Sequence, residues 1–398
     1  MTPSLLRRSI LVTALTCLGA AACGSSSANS NPGGSTGGSA GDSGGGGLGG
    51  DTGGVVVDGR LAEKYSEFFP VGAAVSAWHL ENTASILEEH FNHLAAENAM
   101  KAGLVHPAED TFNWDEADAI ADFARERGMT MTGHTLLWHR QQPSWMFQGL
   151  TAEDPDSIEI LKERLKSHIE AMVERYGDVV TNWDVVNEAI SDDGSKVYRD
   201  EGSDWYRIFG SHEYIYWAFH YAKEALEAQE PGSSAGKLYY NDYNITLKVD
   251  QILEMLAWLE EEKGLKIDGV GDQAHYRIDW PPTSEISRAY DKILAAGYKL
   301  KVSELDVSLY NDYPSGSFEP APEVEFTPAL EAQQAARYGA LFELFRSYAP
   351  DLTSVTVWGI TDDRTWLDNE PVSGRNDHPL LWNDDKQPKE ALRAILDF

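Results

Sequence analysis

Trp183-Asp184-Val185-Val186-Asn187-Glu188-Ala189 alternates apolar and polar residues as a strand does and finishes in an amide and an acid. Its flanks decide the fold. Residues 158–176 before it and 213–230 after it have helical periodicity, and another short apolar run follows at 237–241. The alternation continues in both directions. Strands are expected at 69–75, 94–98, 130–138, 179–188, 237–241, 269–275, 299–306 and 355–360, with further helices at 250–263 and 329–348. Eight strand–helix pairs predict an α/β chain closed into a (β/α)8 TIM barrel, because a parallel sheet covered by helices buries both faces and closure removes its edges.

The barrel accounts for residues 55–398, a body uninterrupted by any second linker. What precedes it reads differently. Residues 1–23 have the pattern of a secretory signal, with Arg7 and Arg8 followed by the apolar stretch 10–22, too short for a comfortable membrane span. Residues 24–54 are almost wholly Gly, Ser, Asn, Asp and Thr, a flexible linker. Cys23, directly after small residues, resembles the acylated cysteine of bacterial lipoproteins, although Ala20 stands where that pattern usually has a branched residue. Export is therefore expected, either as a freely secreted protein or as a surface lipoprotein tethered to a membrane through Cys23.

The chain has 32 Lys and Arg against 64 Asp and Glu, a formal charge of −32, which excludes the broad basic face of a nucleic-acid binder. That acidity reads as a solvated surface and should disfavour heavily glucuronated substrates. Hydrophobic residues make up 42% of the chain, enough for a large core. Both cysteines, Cys17 and Cys23, precede the body, so the body holds no disulfide, Cys-ligated metal or thiol nucleophile. A monomer is expected.

In barrels of this kind chemistry gathers at the C-terminal ends of the strands. Glu188 ends the fourth expected strand, and Glu304, in Val302-Ser303-Glu304-Leu305-Asp306-Val307, ends the seventh. Either acid alone could be a solvated strand end or an ion-pair partner. Together, on strands roughly opposite each other, they match what glycoside hydrolysis requires. One acid protonates the leaving oxygen, and one carboxylate attacks the anomeric carbon or activates water.

Five blocks, in order, resemble glycoside hydrolase family 10, whose typical members are endo-β-1,4-xylanases. They are Phe91-Asn92-His93-Leu94-Ala95-Ala96-Glu97-Asn98-Ala99-Met100-Lys101; Gly133-His134-Thr135-Leu136-Leu137-Trp138-His139 with Gln142-Pro143; the Trp183–Ala189 block; Gly269-Val270-Gly271-Asp272-Gln273-Ala274-His275 with Ser303-Glu304-Leu305-Asp306; and Val355-Thr356-Val357-Trp358-Gly359-Ile360 with Thr365-Trp366. The resemblance implies Glu188 as acid/base, Glu304 as nucleophile and a retaining mechanism through a covalent glycosyl-enzyme, with carboxyl groups about 5 to 5.5 Å apart. It implies that the charge of Glu304 raises the pKa of Glu188, while His275 keeps Glu304 ionised. It further implies that Asn187 contacts the sugar 2-hydroxyl, and that Glu97, Asn98, Lys101, His134, Gln142 and Gln273 bind substrate. Trp138, Trp358 and Trp366 would wall the glycone side. No cofactor or metal is implied, and the partners are xylan and xylooligosaccharides. Ala95, Ala96, Ala102 and Asp272 depart from the family pattern and bear on the shape of the distal glycone subsites.

The same sequence admits rival readings. Residues 232–236, Gly-Ser-Ser-Ala-Gly, match a nucleophile elbow formally, but a helix precedes them and a strand follows, the reverse of what an elbow needs. His134, His139 and His275 fit no short metal signature. A β-1,4-glucanase, or a silent surface carbohydrate-binding protein, remains as the alternative. Steric exclusion of the glucose hydroxymethyl group by bulky aromatics such as Trp358 would select xylan.

Overall fold

The computed structural model describes residues 59–229, 236–310 and 323–398. The signal reading at 1–23, Cys23, the linker 24–54 and residues 232–235 of the elbow-like motif lie outside them. Nine parallel strands are present among the described residues: β1 Val71–Val75, β2 His93–Ala96, β3 Thr130–Trp138, β4 Val180–Asn187, β5 Lys237–Asp242, β6 Gly269–Asp272, β7 His275–Arg277, β8 Lys299–Ser308 and β9 Leu352–Val357. β1 pairs with β2 and β9, and β6 pairs with β8, so eight of them close a barrel. The ninth, β7, continues the path of β6 along the far end of β8, His275 opposite Asp306.

The expected sixth strand, 269–275, is thus broken. Ala274 takes a positive φ of 55°, and the Asp272 carboxylate beneath the break accepts hydrogen bonds from Ala274 N (2.9 Å), Tyr276 Oη (2.5 Å) and Tyr290 Oη (3.1 Å). Asp272 is therefore a buried brace of this turn and not a wall of the distal subsites. Burial raises its carboxyl to about 6.

Helices surround the sheet. Asp156–Tyr176, Glu213–Gln229 and Pro328–Ser347 lie close to their expected bounds, the last opened by a Thr327 cap and Pro328 in the first turn. The helix expected at 250–263 begins earlier, at Ile245, because Ile245, Val249, Ile252, Met255 and Leu256 form one buried stripe. It passes into a π-helical turn, Trp258–Glu262.

Outward strand faces are apolar and pack on helices. Trp183 lies so close to Gly133 that a Cβ there would come within 2.2 Å of the indole, which requires glycine next to His134. The barrel axis is polar instead. From half-buried Thr130, the buried residues His93, Thr132, Asn182, Lys301, Asp184 and His134 form a connected chain, with Lys301 Nζ 2.7 Å from both Asn182 Oδ1 and Asp184 Oδ1. Asp184 Oδ2 is 3.1 Å from His134 Nδ1. A buried charge needs partners of this kind to remain charged. Among the described residues, no helix is long and apolar enough to cross a membrane.

Candidate active site

Neighbouring residues of a strand face opposite sides, yet Ser303 and Glu304 both bond Asn241. The reason is an extra residue in β8. Val302 and Leu305 pair with Val355 and Val357, three steps against two, and the bulge turns both side chains inward. β4 ends by another device. Glu188 adopts a positive φ of 57°, and Arg199 Nε holds its carbonyl oxygen at 2.9 Å. Glu188 and Asn187 then share one donor, Gln273 Nε2, at 3.0 and 3.2 Å.

The two acids are linked through amides. Asn241 Nδ2 donates to Glu304 Oε1 (2.8 Å) and to Asn187 Oδ1 (2.9 Å), and Gln273 connects Asn187 to Glu188. Gly271 makes room for this bridge, since a Cβ there would meet Asn241 Oδ1 at 2.3 Å. Both carboxyl groups open on one cavity of about 410 Å3.

Their surroundings differ in sign. Burial raises the Glu188 carboxyl above the ordinary value of 4.5, with the Asp242 charge and then Glu304 acting the same way against hydrogen bonds from Gln273 and Trp138. The charge of Glu304 acts in the direction expected from sequence, behind burial and Asp242. Trp138 Nε1 donates to Glu188 Oε2 at 2.8 Å, and His139 Nδ1 lies 3.9 Å from the same oxygen. His139 is uncharged at neutral pH, pushed down to about 3 by burial and by Arg199 and Arg140.

Around Glu304, burial acts upward too, but His134, His275 and Lys101 outweigh it and hold the carboxyl below its usual value. His275 Nε2 is 3.4 Å from Glu304 Oε2, while its Nδ1 is 2.9 Å from Asp306 Oδ2. Burial opposes the charged ring, yet Asp306 and Glu304 prevail and raise His275 to about 10. Glu304 therefore has a cationic histidine beside it where Glu188 has a neutral one.

Of the residues singled out from sequence, Glu188, Glu304, Asn187, Gln273, His275, His134, Trp138, Lys101, Trp358 and Trp366 line the cavity. Glu97, Asn98 and Gln142 stand outside its wall. Asn98 Oδ1 accepts from Lys101 Nζ at 3.0 Å and Asn98 Nδ2 donates to Glu97 Oε1 at 3.0 Å, so this pair orients the lysine from behind. Gln142 turns away, its Nε2 3.5 Å from the Arg140 carbonyl oxygen. Gln141, at φ 46°, is the glutamine whose Nε2 reaches Asn98, at 3.5 Å. Ala95 packs with Ala74 under Trp358 and Trp366, and Ala96 and Ala102 are buried.

Sequence reasoning missed Asn241, Arg199 and the roles of His139 and Asp306. Asp306 was legible, being two residues beyond Glu304 in the same strand. Asn241 carried no such signal. The histidines weighed as metal ligands are each directed at carboxylates.

The family model of glycosyl hydrolase family 10 matches residues 60–398. The chain belongs to that family. Among family 10 relatives, endo-1,4-β-xylanase A of Caldicellulosiruptor saccharolyticus is 42% identical over 344 residues, covering 85% of this chain and 95% of the relative. Endo-1,4-β-xylanase B of Paenibacillus barcinonensis is 38% identical, covering 84% and 97%. The crystal structure of an endo-1,4-β-xylanase from Caldicellulosiruptor owensensis superposes with a TM-score of 0.77 at 41% identity, covering 86% of this chain and all of that one. A mutant structure in complex with xylotriose, also 41% identical, gives 0.77 over 85% of this chain and 99% of that one. This family 10 chain is a glycoside hydrolase.

Proposed function

We propose that this protein is a retaining endo-1,4-β-xylanase in which Glu304 is the nucleophile and Glu188 the acid/base. The observation that carries the assignment is the opposed environment of two buried carboxyl groups on one cavity. A Glu304 oxygen attacks C1 of the bound xylose unit as the C1–O bond breaks, and the departing oxygen takes the proton of Glu188. Esterified Glu304 no longer carries charge, so one of the upward influences on Glu188 is removed. Glu188, now a carboxylate, takes a proton from water whose oxygen attacks C1 and releases Glu304. Two inversions give net retention.

Asn187 meets the 2-hydroxyl of the sugar at Glu304, where hydrogen bonds strengthen in the transition state. Lys101, backed by Glu97 and Asn98, takes hydroxyls on the glycone side, and Trp358 and Trp366 offer flat apolar faces to the sugar rings. Trp358 excludes the hydroxymethyl group of glucose and so favours xylan. The leader-like residues 1–23 and the Gly/Ser-rich residues 24–54 support export, with Cys23 as an anchor point. A monomer suffices for this chemistry. Digestion of xylan followed by NMR of the first-formed anomer tests the reading. It requires internal cleavage with the β-anomer formed first; the α-anomer or an exo pattern would refute it.

A further inference from the structure

We propose that Arg140, at the rim of the cavity, binds the carboxylate of a uronic acid branch on the xylan backbone, displacing its internal partner Glu370. This rests on the xylanase reading and names the decorated substrate the site prefers.

The inference begins from charge. Acids outnumber bases 64 to 32 in the chain, yet among the described residues the cavity wall holds five Lys and Arg against five Asp and Glu. His275, held cationic by Asp306 and Glu304, adds one more positive group, so the described wall carries no net negative charge inside an acidic protein. Concave sites focus such a field toward an incoming anion. The balance of charge at the cavity thus differs from that of the whole chain, whose acidity taken alone would disfavour glucuronate.

Arg140 is the basic residue placed to use it. It follows Trp138 and His139 at the end of β3 and lines the cavity with its side chain 59% exposed, open to a group that projects from the cavity into solvent. Its guanidinium lies 5.8 Å from the centroid of the Trp138 ring, and Lys101 Nζ approaches the same ring at 5.0 Å. These two cations repel each other, an effect that adds to burial in lowering the Lys101 pKa. The ion pair from Arg140 to Glu370 spans 3.9 Å between the loops after β3 and β9, with both side chains more than half exposed. That is beyond hydrogen-bond length, and exposed pairs of this kind hold weakly. A uronate carboxylate can instead meet the planar guanidinium with two parallel hydrogen bonds.

The test compares glucuronoxylan with its carboxyl-reduced derivative, which keeps the branch and loses the charge. Arg140→Gln should lower kcat/KM on glucuronoxylan by about three- to tenfold relative to the reduced polymer. Glu370→Gln should raise that ratio about twofold, and both effects should shrink in about 0.5 M salt. Equal effects of Arg140→Gln on the two polymers, or none on either, would overturn the proposal. Wild-type enzyme that cleaves neither polymer would instead remove the xylanase reading beneath it.

Discussion

Glu188 and Glu304 are the same residue type, almost equally hidden at 8% and 5% exposure, and their chemistry is separated by what lies around them. The end of β4 offers an indole N–H, an amide, a neutral histidine and, behind them, the Asp242 charge. The bulge of β8 offers a histidine raised to about 10 by Asp306, a second histidine and Lys101. Burial pushes both acids toward the neutral form. Only at Glu304 does enough positive charge converge to reverse it, so the roles of acid and nucleophile proposed for the pair rest on environment and not on residue type.

The largest effect is expected on removing the better-charged partner. Glu304→Ala should lower turnover by at least about 10⁴-fold with the fold retained by circular dichroism. Azide should then restore activity and give the glycosyl azide of inverted configuration. Glu188→Ala should lower xylan hydrolysis by about 10²- to 10⁴-fold but spare bond cleavage in aryl glycosides whose leaving group needs no proton. Equal losses on both substrates would erase the distinction between the two sites.

The polar barrel axis supports Glu304 from below through His134, Asp184 and Lys301. Lys301→Met leaves Asp184 without its buried cation and should destabilise the protein by about 3 kcal/mol in denaturant titration. An unchanged midpoint would mean that Asp184 is held by His134 alone.

The pH profile sharpens the comparison further. Activity requires Glu304 ionised and Glu188 protonated, so it should rise through the lowered Glu304 pKa and fall through the raised Glu188 pKa. Asp306→Asn removes the charge that holds His275 at about 10; His275 then loses its proton at lower pH, and Glu304 loses a cation. The acid limb of kcat/KM should move up by roughly one pH unit while the alkaline limb stays in place. Movement of the alkaline limb would assign the histidine to the wrong acid.

The strand rhythm around residues 183–189 was enough to foresee the barrel, because parallel strands buried on both faces leave apolar runs of recognisable length. Both acids were legible for the same reason, as polar residues ending such runs. Local backbone geometry was not. The bulge that aims Glu304, the left-handed turn at Glu188 and the break after Asp272 depend on pairing register and on buried partners distant in sequence, which no periodicity reports. The position of Gln142 is of the same kind, since its side chain turns to the Arg140 carbonyl oxygen beside the left-handed Gln141. The polar barrel axis was hidden because His93, Asn182 and Lys301 lie far apart in the chain and no spacing links them.

The division of labour between the two glutamates is tested most directly by inactivation with a 2-deoxy-2-fluoro-xylobioside carrying a good leaving group, followed by peptide mass spectrometry. A single glycosyl label on Glu304, with Glu188 unmodified, is the expected result. A label on Glu188, or turnover with no trapped ester at all, would contradict it.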